Sequence, residues 1–304
     1  MSSGIKIRQF QWGDVEQFTR LFNEISDFTG SEKECDPAFM HQFLSQPNCD
    51  PEEHCFIAEL DDRIAGFVLI THERPISRAV ASGGVLQEYR NKGIGRRLLG
   101  EATEHARHLG DSVIHVQIPA QCNTAMHLLD SEGFRRVKCF WQMQWCHNTA
   151  PSPNLPIGFA VRHFRPGDDE EMLTELQNLS FGENWGFSPN AVEQIEARVQ
   201  LGKGGPKGIL FITDNGVPVA YNWTMLYSSD SRTSGMIFMT GVHPSYRRKG
   251  LGNAIVAAGI EHLKSQGADT VELEVDCDNA PARELYLKLG FRKIKETLWY
   301  EKQF

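Results

Sequence analysis

Apolar residues alternate with polar ones in short runs at two places far apart in the chain, Ile5 to Phe10 and Phe159 to Phe164, and each run predicts a strand. Each run is followed by a Gly-Asp pair and then by a helical pattern. In the second case Met172, Leu173, Leu176 and Leu179 recur at three- and four-residue spacing. Hairpins come next. Cys55 to Leu60 turns at Asp61-Asp62 into Ile64 to Ile70, and Ile209 to Ile212 turns at Asp214-Asn215-Gly216 into Val219 to Tyr221. Asn-Gly between apolar runs is a strong hairpin signal because both central residues must take positive φ. Further along, a glycine-rich junction opens a helix in each half (Ile94 to Leu109; Leu251 to Gln266). A β-rich run follows, at Val113 to Val116 or Val271 to Val275, then a short helix ending at Gly-Phe and a closing strand.

This parallel order is a duplication. Ile7-Arg8-Gln9-Phe10 matches Val161-Arg162-His163-Phe164, with Gly13-Asp14 set against Gly167-Asp168. Tyr89 to Gly95 matches Tyr246 to Gly252, and Gly133-Phe134 matches Gly290-Phe291. Between the halves, Asn148 to Pro156 is rich in Pro and polar residues, the composition of a linker. The sequence therefore predicts two domains, 1–150 and 157–304. Each is expected to be a mixed, mostly antiparallel sheet flanked by helices, an α/β (α+β) fold.

Composition changes this picture little. Of 304 residues 40% are hydrophobic and 23% charged, and no apolar run is long enough for a membrane helix. With no apolar signal core after Met1, a cytoplasmic location and no membrane association are expected. The net charge of -8 argues against a broad nucleic-acid surface and is compatible with a cationic or amine substrate. Cysteines 35, 49, 55, 122, 139, 146 and 277 are scattered, without a Cys-x-x-Cys pair. They predict reduced thiols, with no disulfide framework and no metal site.

The chemistry-bearing feature is Arg247-Arg248-Lys249-Gly250-Leu251-Gly252 at a strand-to-helix junction. A helix N-terminus offers unpaired N–H groups and partial positive charge, and glycines let backbone approach an anion. Such a junction can cradle a pyrophosphate, although a basic, glycine-capped turn is the plain alternative. Its copy, Arg90-Asn91-Lys92-Gly93-Ile94-Gly95, occupies the same context. Asn279 then reads as a helix N-cap with Pro281 in the first turn, placing Tyr286 on the helix that Gly290 ends. Tyr286 is either a packing residue or an acid suited to a departing thiolate.

Arg-x-x-Gly-x-Gly followed by Asn-x-x-Ala-x-x-Leu-Tyr-x-x-x-Gly-Phe resembles the GCN5-related N-acetyltransferase superfamily, and the resemblance spans nearly the whole chain twice. It implies an acetyl-CoA-dependent N-acetyltransferase. The backbone around Arg247 to Gly252 would hold the CoA pyrophosphate. Gly241 and Val242 would pair with pantetheine and aim the acetyl carbonyl. Asn279 would sit near the pantetheine arm, and Tyr286 would protonate the thiolate. Val85 and Arg90 to Gly95 would bind CoA in the first copy, so acetyl-CoA could bind once per domain. At the position of Tyr286 the first copy has Leu129, which donates no proton, so domain 157–304 is expected to be catalytic and 1–150 weakly active or inactive.

The tandem layout is similar to that of the mycothiol synthases. Those carry a glutamate on the strand before the second glycine motif, where Gly235 to Gly241 here has no acid. Glu183, Glu272, Glu274 and Asp276 remain candidate bases or solvated carboxylates. Asn184 to Phe187 lines the acceptor cleft or covers the core. The expected acceptor is a small-molecule primary amine handled by a monomer or loose homodimer. A protein or peptide amine, or a CoA-binding module without turnover, is the alternative.

Overall fold

A computed structural model describes residues 4–28, 35–47, 49–61, 63–201, 205–228 and 232–304, so Asp62 of the expected turn lies outside the described residues. Asp61 takes φ 53°, as that turn requires. The chain packs as two units, Met1–Lys138 with Thr297–Phe304 and Cys139–Glu296.

The first unit runs β1 (Lys6–Gln9), α1 (Val15–Phe28), α2 (Pro37–Leu44), α3 (Pro51–His54), β2 (Cys55–Leu60), β3 (Arg63–Glu73) and β4 (Arg78–Val85). It continues through α4 (Ile94–His108), β5 (Val113–Pro119) and α5 (Asn123–Ser131) into β6 (Arg135–Trp145). The second unit runs β7 (Phe159–His163), α6 (Glu170–Phe181), α7 (Val192–Leu201), β8 (Ile209–Asp214), β9 (Val217–Ser228) and β10 (Thr233–Val242). After it come α8 (Leu251–Ser265), β11 (Thr270–Asp276), α9 (Ala280–Lys288) and β12 (Arg292–Gln303).

The mixed sheets are those the sequence predicts, but their membership is not. The first unit's sheet is ordered β1-β2-β3-β4-β5-β12 and the second's β7-β8-β9-β10-β11-β6. Each half thus supplies the closing strand of the other unit. β12 runs antiparallel to β5 from Thr297↔Pro119 to Gln303↔Val113, and β6 to β11 from Trp145↔Val271 to Phe140↔Asp276. A cut at 150–156 follows the linker composition, whereas the packing boundary falls inside β6 and β12. The physical reason is that the closing strands anchor to matching helix ends. Trp145 Nε1 donates to the Leu289 carbonyl at 3.1 Å in the second unit, and Lys302 Nζ to the Glu132 carbonyl at 2.8 Å in the first. Both carbonyls belong to last helical turns, ahead of Gly133 and Gly290 in the left-handed region.

Other anchors repeat as well. Arg8 forks onto Asp14 at 2.6 and 2.9 Å, and Arg162 onto Asp169 at 2.5 and 2.9 Å. The partner of Asp14 in the repeat is therefore Asp169 and not Asp168. Asn23 exchanges two hydrogen bonds with the backbone of Cys35, and Asn178 does the same with Asn190. Successive strand residues face opposite ways. In β9, Ala220 faces the α8–α9 core with Ile255, Leu273 and Phe291, while Tyr221 and Trp223 face the α6–α7 core with Leu173, Ile195 and Phe211.

One expectation about thiols is corrected. Cys139 and Cys277 form a disulfide within the second unit, their Cα atoms 5.6 Å apart, because the Cys277 N–H bonds the Cys139 carbonyl and so sets the two side by side. Glu296 lies beside the two sulfurs. The disulfide leaves no thiolate in that group to ligate a metal. Among the described residues no helix is long and apolar enough to cross a membrane.

Candidate active site

In the second unit β10 leaves its parallel neighbour early. Only Ser234–Met236 pair with Thr270–Glu272 of β11, and the register against β9 shifts between Ile237 and Met239. A shift of this kind is a bulge, which bends a strand and ends pairing. The far end of β10, with Gly241 and Val242, keeps only β9 as a partner, so its other edge faces the widening gap toward β11. The first unit opens in the same way: β4 pairs β5 through Arg78–Ala81, and Ser82–Val85 keep only β3.

Each opening leads into the glycine loop. Arg248 and Gly250 take φ 64° and 82°, and Asn91 and Gly93 take φ 60° and 85°. Arg247 and Arg90 ahead of them are extended, and positive φ at alternate residues turns the loop so that it can present N–H groups to an anion as a nest. The nest runs into the N-terminus of α8 or α4, whose dipole adds partial positive charge. Leu251 and Ile94 are buried beneath it, so only their backbone can face a ligand. Gly252 lets α8 approach α9, since a Cβ there would stand 3.2 Å from Leu285 Cδ1. Gly95 does the same against Leu128.

The basic side chains divide between loop and scaffold. Arg247 Nη2 donates to the Ser180 carbonyl at 3.0 Å and ties α6 to the loop, while Arg90 Nε donates to the Val85 carbonyl at 3.0 Å. Lys249 lies 4.4 Å over the Tyr246 ring, and Lys92 5.1 Å over Tyr89. Arg248 is exposed at the mouth of the nest. Tyr246 in turn bonds Asp214 at 3.0 Å, fixing the loop to the β8–β9 hairpin.

Asn279 is the N-cap of α9, its Oδ1 accepting from the Ala282 N–H at 3.1 Å. That helix carries Tyr286, only 7% exposed, against Phe291. Burial pushes the Tyr286 phenol up to about 12, so it stays protonated through the physiological range. Leu129 is just as buried on α5.

Of the carboxylates singled out from sequence, Glu272 accepts from the Gln142 and Gln144 amides, each at 2.9 Å, and so is held as a sheet residue. Glu183 is exposed. Asn184 to Phe187 forms turns after α6, with Phe187 stacked on Phe181 at 5.8 Å. Two residues beside the site were not anticipated. A Cβ on Gly241 would stand 2.7 Å from Tyr221 Cε1 and 2.8 Å from Ser180 Cβ, so both side chains wall the end of β10. Only their shared packing on Gly241 brings the two together.

A family model for the acetyltransferase (GNAT) family matches residues 16–134 and again 170–291. Among the most similar relatives is a mycothiol acetyltransferase of Thermobispora bispora, 31% identical over 245 residues that span 79% of this chain and 81% of that protein. A GCN5-related N-acetyltransferase from Sphaerobacter thermophilus shares the fold at TM-score 0.76 and 20% identity, covering 98% of this chain and 95% of that one. A tandem GNAT protein from the clavulanic acid biosynthesis pathway does so at TM-score 0.78 and 16% identity, over 99% and 98%.

Proposed function

The chain belongs to the acetyltransferase (GNAT) family and is an acyltransferase, and from that premise we propose that it moves the acetyl group of acetyl-CoA to a primary amine of a small molecule, in the half that carries Tyr286. The observation that carries this reading is the asymmetry between the buried Tyr286 and the buried Leu129 at matching places behind two nests of the same geometry. The name of the mycothiol acetyltransferase relatives supports a small-molecule acceptor.

The residues fit acetyl-CoA. The nest at Arg248 to Gly252 suits a pyrophosphate, and the free edge of β10 at Gly241 and Val242 suits an arm that hydrogen-bonds like a peptide. Arg248 and Lys249 would supply countercharge, Arg247 fixes the loop, and Asn279, whose Oδ1 caps α9, would sit near the pantetheine arm. When bound, acetyl-CoA supplies the activated acetyl group and a thiolate leaving group. Tyr286 holds at Oη the proton that such a thiolate requires. β10 carries no acid between Gly235 and Gly241, so the amine's own proton would pass to a carboxylate on another element or to ordered water. In the first unit Val85 and Arg90 to Gly95 bind CoA without turnover, because Leu129 holds no proton there.

The test is thiol release from acetyl-CoA with glucosamine, cyclohexylamine and a lysine peptide as acceptors. Tyr286→Phe is expected to lower kcat by about 100-fold or more while leaving acetyl-CoA affinity within a factor of about two. Unchanged kcat removes the proton-donor role, and preference for the peptide removes the small-molecule acceptor.

A further inference from the structure

The two halves use the same α-helix-to-strand packing with different chemistry at one spot. Thr19 and Thr174 each bond the carbonyl four residues back, at 2.6 and 2.7 Å, and the Asn23 and Asn178 clamps fix α1 onto α6 residue by residue. Phe22 then matches Gln177, and Ile25 matches Ser180. The pairing of Phe67 with Gly84 and of Tyr221 with Gly241 matches those strand residues too. In the first unit the set is apolar. Phe22 and Phe67 stand 6.1 Å apart, and Ile25 packs onto Gly84, 2.7 Å from where a Cβ would be.

The second unit replaces all three with hydrogen-bonding groups. Gln177 and Tyr221 are 0% exposed and Ser180 8%, yet Gln177 Nε2, Ser180 Oγ and the Tyr221 hydroxyl have no hydrogen-bond partner among the described residues. Unpaired buried polar groups are costly, and the same scaffold accepts an apolar set in its other copy. Three hydrogen-bonding groups buried without partners among the described residues, where the other copy is apolar, point to a ligand. Ser180 and Tyr221 pack on Gly241 at the end of β10, Gln177 lies about one turn before Ser180 on α6, and none of the three carries a charge. Gln177 Oε1 accepts from Asn190 Nδ2 at 3.4 Å, which ties the end of the 182–190 segment to α6 beside these groups.

We propose that Gln177, Ser180 and Tyr221 form an acceptor subsite of the second unit, which binds a neutral, hydroxyl-bearing part of the amine. This rests on acetyl transfer taking place in that unit. Neutral donors and acceptors satisfy hydroxyl groups and discriminate against an acceptor that leaves them unpaired. Burial also holds the Tyr221 phenol well above its ordinary value, with Tyr286 near enough to add to the effect, so Tyr221 acts as a hydrogen-bonding group and not as a base.

The experiment uses the full chain with saturating acetyl-CoA and two six-membered-ring amines, glucosamine and cyclohexylamine, in wild type, Tyr221→Phe and Ser180→Ala. Thermal unfolding and an acetyl-CoA titration accompany each. Wild type is expected to prefer glucosamine by at least tenfold in kcat/KM. Tyr221→Phe and Ser180→Ala should each remove most of that preference by raising the glucosamine KM, with the cyclohexylamine KM moving far less, acetyl-CoA still bound and Tm not lowered. A wild type without the preference, or variants that keep it, overturns the subsite. So does a preference lost only together with a lowered Tm, since that is the mark of a structural network. Failure to bind acetyl-CoA, or binding without transfer to either amine, overturns instead the function on which the subsite rests.

Discussion

At the scale of single residues, strain separates what serves folding from what serves binding. Arg248 holds φ 64° in an exposed loop where glycine would sit without cost. A non-glycine residue in that region costs on the order of 1 kcal/mol. Arg248→Gly is therefore expected to raise stability slightly, or leave it unchanged, while weakening CoA binding about tenfold through the lost charge. Unfolding midpoints and CoA titration check both signs. Asn91 occupies the same left-handed place in the first copy, so the backbone shape is shared and only the charge differs. The glycine loop and Tyr286 were legible in sequence because their spacing reports backbone geometry. Ser180 and Tyr221 were not, since a Ser on a helix and a Tyr on a strand say nothing of each other until both pack on Gly241.

At the scale of elements, the closing strands decide what can fold alone. Met143 and Trp145 of β6 are 0% and 1% exposed, buried in the second unit's core, while β5 takes β12 as its partner. A fragment 1–150 would carry two large apolar side chains with no core to enter and an unpaired strand edge, a template for aggregation. That fragment is expected to be poorly folded. Residues 1–138 joined through a flexible linker to 297–304 should give protected β5 amides in hydrogen exchange. The order of strands and helices was read correctly from periodicity, yet the exchange escaped it. β6 and β12 are repeats of one another with the same alternation, and alternation specifies a face and not a partner. The linker composition at 148–156 marks where the chain is exposed, which is a different property from where packing divides. The Cys139–Cys277 disulfide escaped for the same reason, as it depends on β6 lying beside β11.

For the molecule as a whole, acid lability follows from its histidines. His54 and His105 share a 2.8 Å hydrogen bond, and burial lowers both pKa values from the ordinary 6.5. Glu53 and Asp50 face His54 and oppose the shift, while His72 and Arg74 reinforce it; His72 and His108 do so for His105. His115 and His262 are lowered by burial as well. A lowered folded value means that the unfolded chain binds more protons below 6.5, so stability is full above that pH and falls as pH drops through the folded values. Urea midpoints at pH 7.5 and 5.5 should show the loss, and His105→Leu should reduce it.

Stoichiometry follows from the duplication itself. Two nests of matching φ values open onto two strands that leave their parallel partners, so the geometry for the pyrophosphate and the arm is present twice. What differs lies behind the nests: Tyr286, Tyr221 and Ser180 in one copy, Leu129, Phe67 and Ile25 in the other, which the proposed function places at the reacting end. Contacts to the phosphates act on ground state and transition state alike, whereas a proton donor acts on the transition state, so binding and turnover should part company. Calorimetry is expected to find two CoA equivalents per chain. Gly93→Asp, which sets a carboxylate in the first nest, should remove one equivalent and leave kcat unchanged, and Gly250→Asp should remove the other together with all turnover. A single equivalent in wild type, lost with Gly250→Asp alone, would assign the first nest to structure.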